Sequence, residues 1–344
     1  MQMGRARVVS NDCTTTGKRH PVPGAGRLIG MLLAASLLAG AAHAQSDKAK
    51  SSGDGSALAP SAMTMTAGKP QDDAIVVTGK PEPKPAEVEH QANLVSHTNV
   101  KYHTPLASFQ ESVCPGIVGM PVSLAELMVD RIRDNAQRVG IEPGPEKCRP
   151  NIMVIFVRNG QAVIKELARK EPYVFRNLEY SDLQDLMRDS GPVHAWVNKI
   201  VKSRQGDSLQ GDNSGDLTQV PVLNVGQSQS HIFLAHRLDI TNSVIIIDIP
   251  AIDGMSVVQI ADYVSMRVFA ETNPVSGDPA ASTILTLFDK NSAHPRAMTD
   301  FDLAFLRTVY SGANGLTAAT KLASINTKLR QIKADELKNG KPIN

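Results

Sequence analysis

Asn151-Ile152-Met153-Val154-Ile155-Phe156-Val157 and, further along, Ser243-Val244-Ile245-Ile246-Ile247-Asp248-Ile249 decide the fold. Both runs are short, β-branched and apolar at nearly every position. A strand wet on one face would alternate, so these two read as buried strands near the centre of a sheet. Working outward, Ser256 opens a helix to about Ala270. Its hydroxyl and Gln259 make a capping box, Val257, Ile260, Ala261, Val264 and Val268 share one face, and Asn273-Pro274 stops it. Before the first strand, Ser123 to Val139 carries Leu124, Leu127, Met128, Ile132, Ala136 and Val139 as an apolar stripe, with Ser123 as the expected cap and Gly140 as the end.

The remaining elements are placed by the same periodicities. Helices are expected over Gln161–Arg169, Ser181–Met187, Asp300–Tyr310 and Leu316 to about Leu337, the last bearing Leu322, Ile325, Leu329 and Ile332 for packing on its own domain. Tyr102 to Val113 reads as a strand or extended approach to a Cys114-Pro115-Gly116 turn. His231–Leu238 and Ser243–Ile249 read as paired strands across a turn at Asp239-Ile240-Thr241-Asn242, and Gln205–Gly215 as a polar surface loop. The sum is an α+β class domain, a mixed sheet with packed helices, occupying residues 96–340 as one globular unit long enough to bury a substantial core.

Residues 1–44 have the order of a secretory signal peptide. Arg5, Arg7, Lys18, Arg19 and Arg27 precede an apolar run from Leu28 to Leu38, and Ala42-His43-Ala44 supplies a small-residue cleavage site. The run is shorter than the ~20 apolar residues a membrane span needs, so the mature chain is expected to have no membrane span and to be periplasmic or secreted. No cysteine flanks the site, which argues against lipid attachment there. Cleavage after Ala44 leaves 31 basic and 33 acidic residues, a formal charge of −2. With no cluster of Lys and Arg interleaved with aromatics, nucleic acid is excluded as a partner.

Cys13 leaves with the signal, and Cys114 and Cys148 remain. A pair in an oxidising compartment implies one disulfide around a helix-bearing loop, the alternative being two buried thiols. Neither sits in a CxxC, so redox catalysis is not read. From Gln45 to about Val95 the composition is Ser, Gly, Ala, Pro, Lys and Asp, too poor in large apolar residues to offset chain entropy, and a disordered leader is expected.

One island in that leader, Asp72-Asp73-Ala74-Ile75-Val76-Val77-Thr78-Gly79, resembles the TonB box of TonB-dependent outer-membrane receptors. The resemblance implies that Ile75, Val76, Val77 and Thr78 pair as an added strand with a TonB-type energy transducer, an instance of β-augmentation. Those receptors also carry a plug and a many-stranded barrel, for which the residues after Val95 are too few and too helical.

The closing pattern Ser282-Thr283-Ile284-Leu285-Thr286-Leu287-Phe288-Asp289, then Met298-Thr299-Asp300-Phe301-Asp302-Leu303-Ala304-Phe305-Leu306-Arg307-Thr308-Val309-Tyr310, resembles that of a family of exported bacterial proteins of unknown function with a zincin-like core. In active zincins the helix corresponding to Ser256–Ala270 carries HExxH, two histidines one turn apart on a zinc and a glutamate as general base. Ala261-Asp262-Tyr263-Val264-Ser265 stands there instead. The resemblance therefore implies a zincin-like scaffold without the zinc site, because Ala261 cannot ligate, Ser265 ligates zinc poorly, and an acid without the metal that acidifies its water has little to work on.

No other motif names a reaction: there is no GxSxG, P-loop or GxGxxG opening a helix. His231 and His236, five apart on an expected strand, point to opposite faces and make a poor ligand pair. No catalytic residue, metal ligand or cofactor is assigned. Asp248, Asp253 and Asp262 gather near the end of the apolar strand, where mixed folds often place sites, though turn and capping chemistry accounts for them as well. Asp262, Tyr263 and Arg267 are the candidate lining of a groove. The resulting reading is an exported, non-catalytic binding or envelope-associated protein. The alternatives are a periplasmic hydrolase whose site no motif marks and a partner of a TonB-type transducer through residues 72–79.

Overall fold

The computed structural model describes residues 82–98, 103–175, 177–209, 222–223 and 233–339. The signal region, the segment from Ile75 to Thr78, His231 and most of the Gln205–Gly215 loop lie outside the described residues. All described residues belong to one compact unit, Val76–Asn344.

Four strands form a mixed sheet in the order β1-β2-β4-β3. β1 (Pro115–Val118) and β2 (Ile152–Val157) run parallel, as do β2 and β4 (His236–Asp248), while β3 (Val193–Ser203) lies antiparallel to β4 and closes the sheet at one edge. The continuous apolar runs sit where a doubly covered sheet requires them. Ile245 and Ile247 face the larger core and Val244 and Ile246 the smaller one, so alternate residues of one run fill opposite layers. In β2, Ile152, Val154 and Phe156 join the larger core, and Met153, Ile155 and Val157 pack against the smaller.

The larger layer is built by α1 (Pro85–Val95), α2 (Val122–Val139), α5 (Val257–Phe269), α6 (Asp300–Tyr310), α7 (Ala318–Leu322) and α8 (Ile325–Asn339). The smaller layer is built by α3 (Gly160–Lys170), a 3-10 turn at Pro172–Phe175 and α4 (Tyr180–Arg188). The α+β class and the mixed sheet stand as read. α5 starts at the expected capping box, with Ser256 accepting from the Gln259 N–H and Gln259 accepting from the Ser256 N–H. α6 starts at a second box, Thr299 with Asp302. α2 ends at Gly140 in the left-handed region, φ 89°.

Several expectations are corrected. The leader does not run to Val95: Pro85–Val95 is a helix whose Val88, Ala92 and Val95 are buried in the core and whose Gln91 exchanges two hydrogen bonds with Ala281. Proline at its first turn, which composition alone assigns to the leader, is a favoured helix start. From His103 to Val113 the described residues hold isolated bridges at Pro105, Ser108 and Val113, and Pro115-Gly116 starts β1 instead of making a turn. Asp239–Asn242 is not a turn but the middle of β4, its polar groups satisfied sideways: Arg237 pairs with Asp239, and Asn198 donates to Asn242. A register shift at Asn198/Lys199 absorbs the irregularity. The expected terminal helix is two, α7 and α8, broken at Ala323-Ser324. Ser123 is not the cap of α2, which begins one residue earlier after Pro121.

Cys114 and Cys148 are joined, their Cα atoms 6.0 Å apart, enclosing α2. Among the described residues no helix is long and apolar enough to cross a membrane.

Candidate functional site

The three residues expected to line a groove do not sit together in one. Asp262 is fully buried, an acceptor at the α2–α5 interface for Arg131, Asn135 (2.6 Å) and the Met298 N–H (2.7 Å). Tyr263 is 1% exposed and meets the Phe288 ring edge-on with centroids 4.8 Å apart. Burial pushes its hydroxyl pKa up, and the nearby Arg267 guanidinium opposes that rise. Of the three, Arg267 lines the cavity beside β3 and the other two do not. The helix is apolar nearly all round because other elements enclose it, so a polar side toward solvent does not exist for Asp262 and Tyr263. The neighbours proposed with them also part: Asp253 is exposed on a turn, and Asp248 accepts from the Gly160 N–H at 2.6 Å.

The cavity Arg267 enters has a volume of about 330 Å³. It lies between α4 and the C-terminal end of α5, against Val193, Ala195, Trp196 and Val197 of β3. Side chains alternate faces along a strand. A space touched by residues of both parities wraps the strand's edge and does not lie over either face. β3 is the last strand of the sheet, and among the described residues no strand pairs with it on its outer side. Leu178 and Leu186 complete an apolar floor.

The rim is acidic. Asp182, Asp185, Asp189 and Glu271 line it, against Arg267. Glu271 is neutralised by Lys199 at 2.6 Å, both largely buried. His97 stands 3.7 Å from Asp182. Asp189 is held below the usual carboxylate range, first by His194 and then by the Gly191 N–H, which donates at 2.8 Å, against a desolvation that pushes it up.

Behind Asp189 lies His194 of β3, whose side chain is fully buried. Its Nδ1 is 3.4 Å from Asp189 Oδ2, an ion-pair distance without the alignment of a formed hydrogen bond. Its ring packs so closely on Gly160 that a Cβ there would stand 2.6 Å from Cδ2, so the first turn of α3 requires glycine. Among the described residues no hydrogen bond reaches either ring nitrogen of His194. Among the described residues no group of three His, Cys, Asp or Glu side chains is placed to hold a metal.

No family model, no curated protein and no solved structure matches this chain.

β3 was missing from the sequence reading, and with it the cavity. Val193-His194-Ala195-Trp196-Val197-Asn198-Lys199-Ile200-Val201 is rich in β-branched residues, a signal that was available. The acids of α4 were legible as a helix face only once that strand was in place beside them.

Proposed function

We propose that this chain is an exported, non-catalytic binding protein of the cell envelope, built on a zincin-like scaffold, that takes an extended polypeptide segment along the open edge of β3. The observation that carries this reading is the cavity wrapped around Val193–Val197. An unpaired edge offers a row of main-chain donors and acceptors, which a partner strand completes. Proteins guard such edges with lysine, proline or a covering element. The stretch from Val193 to Val197 has neither lysine nor proline, and an open space lies beside it.

The absence of catalysis is supported by what occupies the α5 positions. Arg131, Asn135 and the Met298 N–H all donate to the Asp262 carboxylate, which commits it to structure. Ser265 donates to the Ala261 carbonyl at 2.8 Å and accepts from Asn135 at 3.0 Å. The disulfide, stable in oxidising compartments, supports export.

Trp196 is the chain's one tryptophan and lines the cavity, so its emission reports occupancy. Titration with a panel of apolar pentapeptides is expected to shift that emission saturably, and N-methylation of alternate peptide nitrogens is expected to abolish the shift by removing main-chain donors. Casein stays uncut in the same preparation. Unaltered emission with every peptide, or binding indifferent to N-methylation, rejects the strand-addition reading; turnover of casein rejects the non-catalytic one.

A further inference from the structure

Two carboxylates from different elements flank the buried ring of His194. Asp189, the C-cap of α4, comes within 3.4 Å of its Nδ1, and Asp248, the last residue of β4, stands on the Gly160 side. The point a Gly160 Cβ would occupy is 3.1 Å from His194 Nε2 and 3.1 Å from Asp248 Oδ1, so ring and carboxylate are neighbours in the space that glycine leaves. We propose that His194 is an acid-operated latch: its protonated ring donates from Nδ1 to Asp189 and from Nε2 to Asp248, tying the C-cap of α4 and the first turn of α3 to β3. This goes beyond the strand-addition reading and stands without it.

The count of donors and acceptors carries the argument. A neutral imidazole has one N–H and one lone pair, so it satisfies at most one of two carboxylates and turns its lone pair toward the other. The imidazolium has two N–H groups for two acceptors. His194 is 1% exposed, neither ring nitrogen has a hydrogen bond among the described residues, and buried polar groups in folded proteins are nearly always paired. Both acceptors are already fixed in place. Asp189 Oδ1 accepts from the Gly191 N–H at 2.8 Å and Asp248 Oδ1 from the Gly160 N–H at 2.6 Å, which leaves acceptor capacity on each carboxylate.

A charged ring in an interior needs opposite charge beside it, and these two groups supply it. Asp189 already responds to the ring, which is the first cause holding its own pKa down. From α5, Arg267 and the Tyr263 hydroxyl act on Asp189 as well. On α4, Asp185 is 79% exposed and beside Arg188; on α3, Glu166 is paired with Lys170 on the exposed side. Closing the Asp189 contact to a formed hydrogen bond of about 2.9 Å takes a small turn of a half-exposed carboxylate. Because Asp189 lines the cavity beside β3, the latch draws one negative charge from its rim toward the sheet. Trp196 lies on the same face of β3 two residues on, placed to report the change.

The test is NMR of the full mature chain labelled with nitrogen-15 and carbon-13, the His194 ring assigned through Ala195 and Trp196, between about pH 8 and pH 5, where imidazole charge generally changes. Two ring N–H protons protected from solvent exchange are expected at pH 5, against one at pH 8. D189N and D248N keep a carbonyl oxygen for Gly191 and Gly160 and remove the charge, so matching melts are expected to show both folded. Each is expected to lower the ratio of doubly to singly protonated ring at pH 5 about 10-fold. Trp196 emission is expected to change over the same range in the wild type and to stay flat in H194Q. A single ring N–H proton at pH 5 in the folded wild type overturns the latch, and a ratio unmoved by D189N or by D248N overturns its two-sided form. Amide exchange in the wild type needs no variant: the Gly160 and Gly191 N–H groups are expected to be better protected at pH 5 than at pH 8 once intrinsic rates are removed. Equal protection overturns the tie between α3, α4 and β3.

Discussion

Arg131 of α2 meets Asp262 of α5 fork to fork, Nε to Oδ1 at 2.7 Å and Nη2 to Oδ2 at 2.8 Å, inside the contact between the two helices. Asp262 is wholly buried and the arginine side chain is 21% exposed. The pairing raises the arginine pKa further, so Arg131 keeps its charge. With Asn135 and the Met298 N–H on the same carboxylate, three segments far apart in sequence are registered by one side chain.

Removing one partner of this pair is expected to cost far more than removing both. Arg131→Met leaves a buried carboxylate short of its cation, and a loss of about 3–5 kcal/mol in urea unfolding is the expected size. Arg131→Met combined with Asp262→Leu recovers a large part of it. In whatever fraction of Asp262→Ala remains folded, peptide binding at β3 persists unchanged, because the carboxylate does not line that cavity. Additive losses in the double variant contradict the coupling.

Asp302 gives the protein a pH dependence of stability. It is fully buried at the start of α6, and desolvation pushes its pKa up to about 6, against four donors that pull it down: the Thr283 hydroxyl at 2.5 Å, the Ile284 N–H at 2.8 Å, and the Thr299 N–H and hydroxyl at 2.9 Å each. A carboxyl whose folded pKa lies above its unfolded value of 3.8 binds its proton more tightly when folded. Its stabilising contribution is therefore full below pH 3.8 and is lost as pH rises through about 6. Between those limits the loss is on the order of 3 kcal/mol. Urea unfolding of wild type against Asp302→Asn at acid and neutral pH isolates the slope, which the asparagine variant lacks. Identical slopes in the two proteins remove Asp302 as its origin.

These residues show why the fold was more legible than the site. The apolar runs at Ile152–Val157 and Val244–Ile247 name their own environment, and the capping box at Ser256 marks a helix start by chemistry local to a few residues. Asp239 and Asn242 misled because turn residues and strand residues differ in where their hydrogen bonds go, and those partners, Arg237, Lys202 and Asn198, lie on the same strand or across the sheet. The misplacement of Asp262 has the same root. A polar residue on a helix reads as solvent-facing until Arg131, sequence-distant, is brought against it. The cavity depends on β3 being an edge, a property of strand order that no single segment encodes.

The link between Cys114 and Cys148 closes a loop of 33 intervening residues containing α2 and the turn before β2. In the chain-entropy picture a loop of that length is worth roughly 3–4 kcal/mol. Cys114→Ser with Cys148→Ser is expected to lower the unfolding free energy by about that amount while the sheet stays intact, since β1 keeps its pairing with β2. Thiol titration of the mature chain in denaturant is expected to find none before reduction. Detection of both thiols without reductant refutes the link.

α1 is part of the folded unit, and truncation is expected to show what it contributes. A chain beginning at Glu82 keeps the described contacts, including the buried Val88, Ala92 and Val95 and the paired hydrogen bonds between Gln91 and Ala281. A chain beginning at His97 exposes the core surface those side chains covered and strands the Ala281 N–H and carbonyl in an interior left without their partner. Two valines at roughly 1.5–3 kcal/mol each, with smaller terms for the alanine and the hydrogen bonds, put the expected loss near 5 kcal/mol, a large share of what a domain of this size has. Thermal melts of the two truncations side by side read the difference directly. Equal melting temperatures place α1 outside the cooperative unit, whereas a chain beginning at His97 that melts far lower or fails to fold makes Pro85–Val95 an element of that unit.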